Sequence, residues 1–430
     1  MATAAPADKA HSTVRATLWI LLIVYIFNFI DRQIVNILAE PIAQDLGLTD
    51  TQIGLMTGLA FALFYTILGL PIARYSDRPT THRPRLIAIA LATWSAMTAL
   101  CGVAQNFVQL LLARIGVGVG EAGCTPPAHS LIADLVPKEK RSSALAFYAL
   151  GIPIGTLLGM LIGGFLADWV GWRQAFLFVG IPGVALALLV WYVLKEPRRK
   201  DSLEVLRQRG TQDVVPFFSA MRQLMRSRAF VLLLIAGSAA SFLAYGKVTW
   251  TTIFFQRTHG LSPGEVGFWF GIVNGAAGIA GTVLGGYLAD RFGATNRRHV
   301  LTAPAIGMFL AVPFAFAAYQ AQAWEMGLVL LFLPTLFNSL YYGPTYSSAQ
   351  GLVPLRSRAI AAAILLFFQN LIGLGLGPLF FGMLSDLLRP EYGEESVRYV
   401  LYGAAFLGVI PAFFFWRCSL RLNEELDRQD

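Results

Sequence analysis

GYLADRFGATNRR, residues 286–298, decides the fold, because its first five residues return elsewhere in the chain. GFLAD stands at 164–168, GMLSD at 382–386 and a weaker copy, ARYSD, at 73–77. Each pentad closes a long apolar run. With the amino terminus inside the cell, the four aspartates fall in turn on the cytoplasmic, outer, cytoplasmic and outer sides. One motif alternating across a membrane is the signature of three-helix units inverted within each half and then duplicated.

Composition points the same way. Of 430 residues, 56% are hydrophobic and 13% charged, where soluble domains carry about 25% charge; mean hydropathy is +0.60. A soluble enzyme is excluded. Apolar runs predict an all-α integral membrane protein with spans at 16–39, 51–73, 85–104, 107–133, 142–168 and 173–194, then 229–256, 264–290, 298–319, 325–352, 358–387 and 396–418. The run from Ala16 is too long for a signal peptide and reads as the first span. The chain divides into a tail at 1–15, a six-helix half at 16–194, a polar linker at 195–228, a second half at 229–418 and a tail at 419–430. Within the linker, PFFSAMRQLM reads as a short amphipathic helix on the membrane surface.

Basic residues set the orientation. Arg173, Arg257, Arg389 and Arg398 fall in outer loops, and Arg32, Arg114 and Lys247 fall within spans. The remaining 26 of 33 Lys and Arg lie on one side, which places both termini in the cytoplasm of a cell membrane, the bacterial inner membrane being expected. That bias accounts for the net charge of +8, so nucleic acid is not an expected partner. Cys101, Cys124 and Cys418 lie in or beside apolar runs and form no disulfide framework. The five histidines show no metal-ligand spacing.

The chain resembles the major facilitator superfamily over its whole length. GYLADRFGATNRR is similar to that family's loop signature between the eighth and ninth spans. DRPTTHRPR keeps the Asp-Arg of the equivalent loop after the second span, with Pro79 for the usual glycine. RIGVGVG (Arg114, Gly118, Gly120) resembles the fourth-helix motif. Gly155, Gly159, Gly163 and Gly164 resemble the fifth-helix motif of exporters, with Met160 replacing its proline. NFIDRQIVNIL and GVGEAG before IADLVP resemble the spinster branch, bacterial type, whose members carry lysolipids and sphingolipids. The resemblance implies two pseudo-symmetric six-helix bundles and transport by alternating access.

The residues themselves support a coupling site. Asp31 and Arg32 sit about fifteen residues into the first span. Arg114 and Glu121 lie seven apart on the fourth, on one face and about 10 Å apart along the axis. Unpaired charges in a membrane cost several kcal/mol, so these four are expected to be paired or wetted. Two structural salt bridges would satisfy that rule. The alternative is that Glu121 and Asp31 gain and lose a proton while Arg114 and Arg32 modulate them, since arginine itself stays charged. In that scheme Arg114 is the counter-charge of Glu121.

The second half offers Lys247, either snorkelling to the outer surface or facing an anionic head group. Polar and aromatic interruptions at Asn274, Asn338, Tyr341, Tyr342, Gln369 and Asn370 join Tyr25 and Asn28 of the first span as expected cavity residues. Asp77, Arg78, Asp134, Asp290 and Arg291 lie at cytoplasmic helix ends. They are solvated topology determinants, or they form an inner gate with Arg partners or the amino-terminal ends of the facing eleventh and fifth helices.

No phosphate-binding GxxxxGK[ST] loop, HExxH or Ser-His-Asp arrangement stands in the sequence, so neither nucleotide coupling nor catalysis is expected, and no cofactor. The leading expectation is a monomeric, proton-coupled secondary transporter exporting a lysolipid-like or other amphiphilic organic anion, with protons and membrane lipids as partners. A proton-coupled importer of small aromatic or sugar acids is the alternative, and a non-transporting receptor or channel the third. A channel would need a continuous polar pore or filter loop.

Overall fold

The computed structural model describes residues 5–78, 80–197, 217–354 and 357–426, and these contain helices and no strand. Pro79, most of the linker and the ends of both tails lie outside the described residues.

Twelve long helices are described. α1 is Ala5–Leu46, longer than the apolar run because its polar ends continue the helix beyond the membrane thickness. α2 is Asp50–Ser76. It opens with a capping box: Thr49 Oγ1 accepts from the Gln52 N–H at 3.2 Å, and Gln52 Oε1 accepts from the Thr49 N–H at 3.0 Å. A π-helical stretch, Leu55–Leu59, follows inside it. α3 is Arg83–Cys101. α4 is Phe107–Leu135, broken just after Glu121 and restarted at Thr125 with prolines in the new first turn, where a missing N–H costs nothing.

Helices α5 (143–170) and α6 (172–193) join at Gly171, whose φ of 81° and ψ of 165° only glycine adopts readily. The linker helix is Phe217–Leu224. In the second half come α7, Arg228–His259, α8, Pro263–Gly293, α9, His299–Gln320, and α10, Trp324–Gly351. α11 (358–392) carries a second π-helical stretch, Gln369–Leu376, and is separated from α12 (396–426) by Gly393 at φ 58°. Large apolar side chains remain exposed along these spans, among them Phe165, Trp169, Val283 and Leu387. That surface suits hydrocarbon.

The chain forms two compact units: 1–41 with 63–213, and 42–62 with 214–430. The division therefore runs through α1 at Pro41 and through α2 at Ala62. In the first unit, α3 packs along α5–α6 and α4. α5 approaches α1 closely through its glycines: a Cβ at Gly155 would sit 2.6 Å from Phe29 Cβ, and one at Gly159 would sit 2.8 Å from Gln33 Cβ. Small residues let two backbones meet where apolar burial provides no driving force between helices.

In the second unit, α7 packs against α11 and α12, and α10 against α8 and α9. Phe230, Leu233, Ile364, Leu365 and Phe415 form its core. The Trp250 indole N–H, buried, donates to the Pro378 carbonyl at 2.9 Å and ties α7 to α11.

Candidate functional site

The first unit brings together all four charges singled out from its sequence. Asp31, Arg114 and Glu121 are each about 1% exposed. Arg32 Nε meets Glu121 Oε2 at 2.7 Å, and the Arg32 guanidinium lies 4.5 Å from the Tyr65 ring centre and 5.1 Å from that of Phe29. Asp31 sits within the electrostatic reach of Arg114 and Glu121, beside Thr98 and Trp94 of α3, and Asn28 lies beside Glu121. Two acids and two arginines make a neutral set, the condition for keeping four charges away from water.

One detail differs from the sequence reading. Glu121 takes Arg32 of α1 as its contact, not Arg114 of its own helix. Two turns of helix hold Arg114 and Glu121 too far apart along the axis for direct contact, and α1 supplies a guanidinium at the right height. Glu121 Oε1 accepts no hydrogen bond among the described residues. This carboxylate therefore has one oxygen committed to a cation.

Aromatic rings border the cluster. Tyr25 stacks on Tyr148 with ring centres 4.3 Å apart and planes 10° from parallel, and His129 meets the Tyr148 edge at 5.5 Å. Sequence reasoning selected Tyr25 and Asn28 but missed Tyr65, His129 and Tyr148. Their only signal is a polar ring atom within an apolar span.

In the second unit, Lys247, Asn274, Asn338, Tyr341 and Tyr342 line one cavity of about 260 Å³. Lys247 is the one charged residue of that lining. Thr251, Tyr319, Thr335 and Ser339 add hydroxyls that the sequence did not single out. Tyr341 exchanges a hydrogen bond with Ser241 at 3.2 Å, and Tyr319 with Thr251 at 2.9 Å. Gln369 and Asn370 are elsewhere, buried in the π-helical stretch of α11, where Gln369 Oε1 accepts from the Tyr346 hydroxyl at 2.8 Å. They do not line this cavity of the second unit.

Among the residues expected at an inner gate, Asp134 receives Arg83 Nη1 at 2.7 Å. Arg83 is fully buried and also grips Glu196, which accepts both its backbone N–H at 2.8 Å and its guanidinium. Ser130 bridges Arg83 at 3.1 Å and Asp77 at 3.4 Å. Asp77 and Arg78 are exposed, with Arg78 over the Tyr75 ring. Asp290 and Arg291 are exposed too, and their side chains make no hydrogen bond or ion pair among the described residues. Arg83 and Glu196 were missed, since Arg83 looked like one more basic residue of a polar loop.

A second buried cluster lies at the head of α2, within the second unit. Asp50 is fully buried and accepts from Arg257 at 2.8 and 3.0 Å and from Ser385 Oγ at 2.5 Å. Arg389 lies 3.8 Å away. Asp386, the acid of GMLSD, accepts the N–H groups of Asp50 and Thr51 at 3.0 and 2.8 Å. A carboxylate thus caps the positive end of α2. The GMLSD copy of the repeated motif thus places its acid at a helix amino-terminal end.

The sequence profile of the Major Facilitator Superfamily matches residues 21–378 and again 248–429. The chain belongs to that superfamily. It is a multi-pass membrane transporter of the Major Facilitator Superfamily, and among its relatives is an MFS-type efflux pump of Mycolicibacterium smegmatis (strain ATCC 700084 / mc(2)155), 33% identical over 413 residues, covering 96% of this chain and 94% of that one. A probable L-galactonate transporter of Escherichia coli (strain K12) is 27% identical, covering 85% of this chain and 82% of the other. The crystal structure of a bacterial homolog to the human lysosomal transporter spinster, in an inward-facing and unoccupied conformation, is 30% identical and superposes with a TM-score of 0.86, covering 96% of this chain and 98% of that one. The superfamily member described here is spinster-like.

Proposed function

We propose that this transporter couples the movement of protons to the export of an amphiphilic organic anion, by alternating access of its six-helix halves at 16–194 and 229–418. The observation that carries the reading is the Arg32–Glu121 pair, buried beside Asp31 and Arg114. Proton uptake by Glu121 would release Arg32, and substrate or Asp31 would then compete for the freed guanidinium. Neutralising the acid lowers the cost of moving that face past apolar neighbours. The half with Lys247 supplies the other requirement, a cavity with one cation, several hydroxyls and apolar walls, which suits an anionic head on an apolar body. The efflux-pump relative supports export, and the resemblance of NFIDRQIVNIL and GVGEAG to the spinster branch supports a lipid-like cargo. The charge bias of the loops supports two cytoplasmic termini in a cell membrane, and each monomer holds a complete set of these residues.

Flux in proteoliposomes under an imposed pH gradient tests the reading. Accumulation of an anionic lysolipid that follows the gradient, and collapses with an ionophore, supports it. Substrate flux indifferent to the gradient would remove the coupling. The second reading is proton-coupled import of small organic acids, supported by the galactonate-transporter relative. Gradient-driven uptake of sugar acids in the same vesicles, with no lysolipid flux, would favour it.

A further inference from the structure

Two adjoining cavities of the second unit have no part in the site described above. One, of about 510 Å³, runs between α7, α11 and α12 with almost wholly apolar walls, including Leu234, Ile235, Phe242, Ile372 and Ile410. The other, of about 400 Å³, lies at the end of α7 and α12 that the charge bias assigns to the cytoplasm, and is lined by Arg228, Arg417 and Arg421. Met225 and Val231 line both, so the basic mouth opens into the apolar crevice.

The chemistry of this pair is that of one ligand. Arg417 and Arg421 are four residues apart and share a face of α12, and Arg228 begins α7. Among the described residues none of the three has an ion pair. Glu425, one turn beyond Arg421, is turned to α7, where it accepts from Ser227 Oγ and from the Ala229 N–H at 2.9 Å. The crevice extends along α7 from Val231 to Leu243, about 18 Å of helix, close to one leaflet of a roughly 30 Å hydrocarbon core. Ile235 and Ile410 at its edge are exposed, so it opens toward lipid.

We propose that this crevice binds an anionic glycerophospholipid of the adjacent leaflet, with its phosphate among Arg228, Arg417 and Arg421 and an acyl chain between α7, α11 and α12. Convergent arginines next to a chain-length apolar slot match a phosphate joined to hydrocarbon. A zwitterionic lipid would bring its own cation against theirs. The proposal is independent of what the transporter carries.

Native mass spectrometry of the purified full chain tests it, with phosphatidylglycerol and phosphatidylcholine of the same acyl composition. Phosphatidylglycerol is expected to bind at least ten-fold more tightly. Replacing all three arginines (Arg228→Gln, Arg417→Gln, Arg421→Gln) should erase that preference, and Ala239→Trp, which fills the crevice and leaves the arginines, should weaken both lipids. If the triple variant does not fold, Arg417→Gln and Arg421→Gln singly should each reduce the preference about three-fold. Equal binding of the two lipids would overturn the proposal, as would an unchanged preference in the arginine variants. Displacement of phosphatidylglycerol by equimolar inorganic phosphate would reduce the site to an anion pocket and overturn it as well.

Discussion

Arg257 holds Asp50 with two nitrogens, at 2.8 and 3.0 Å, where neither side chain is more than 5% exposed. Asp50 is also the first residue of α2, and Asp386 caps the same turn. The head of α2 is thereby fixed to α7 and α11 by one buried cation, two carboxylates and the Ser385 hydroxyl. Breaking a buried pair from one side leaves the other charge uncompensated, at about 3–5 kcal/mol.

Arg257→Ala should therefore lower thermal stability in detergent by an amount of that order. The double variant Asp50→Asn/Arg257→Gln should lose less than the sum of its singles, since it leaves no orphan charge. Additive losses in the melting curves would show that the two residues act separately.

Glu121→Gln should preserve the fold, because a neutral amide can still accept from Arg32. It should abolish substrate accumulation driven by an imposed pH gradient while leaving exchange down a concentration gradient. Glu121→Asp should keep part of the coupling. Should Glu121→Gln still concentrate substrate, the pair is structural and Asp31 becomes the proton carrier to examine.

Arg83 serves Glu196 and Asp134 at once. Arg83→Ala should cost about 3–5 kcal/mol by leaving a buried carboxylate alone. Arg83→Lys should recover only part of it, because one ammonium cannot span both acids as a planar guanidinium does. Calorimetric or fluorescence melting would check the order: wild type, then Lys, then Ala.

Lys247→Ala should weaken binding of anionic substrates about ten-fold more than that of zwitterionic analogues with the same apolar body. Isothermal titration with matched pairs would measure the difference. Equal losses for both would mean that Lys247 only shapes the cavity.

Much of this was legible in the chain. The twelve spans follow from apolar runs bounded by polar caps, and Asp31, Arg32, Arg114 and Glu121 stand out because charge is rare in such runs. Their pairing was not legible. Spacing along α4 reveals which of its residues share a face but not which neighbouring helix meets that face, and so Arg32 rather than Arg114 fills the contact with Glu121. Arg83 and Asp50 escaped notice, and Arg257 was read only as a loop charge, for a related reason: each belongs to a loop-like polar stretch by composition and is buried only by the helices packed over it. Gln369 and Asn370 look like Asn274 and Asn338 in sequence, and the π-helical backbone that holds them leaves no mark in the hydrophobic pattern.

The extra residue of a π turn has a consequence for the history of the chain. Removing one residue from an ordinary α-helical span rotates everything beyond it by about 100°, which would carry lipid-matched faces into the protein interior. Within Leu55–Leu59 or Gln369–Leu376, the same deletion would take out a surplus residue and leave the flanking helix in phase. These two stretches meet each other, with the Gly58 side-chain direction aimed at the Gly375 carbonyl. Among the described residues, α2 and α11 are thus spans where a one-residue change of length is expected to be tolerated between descendants.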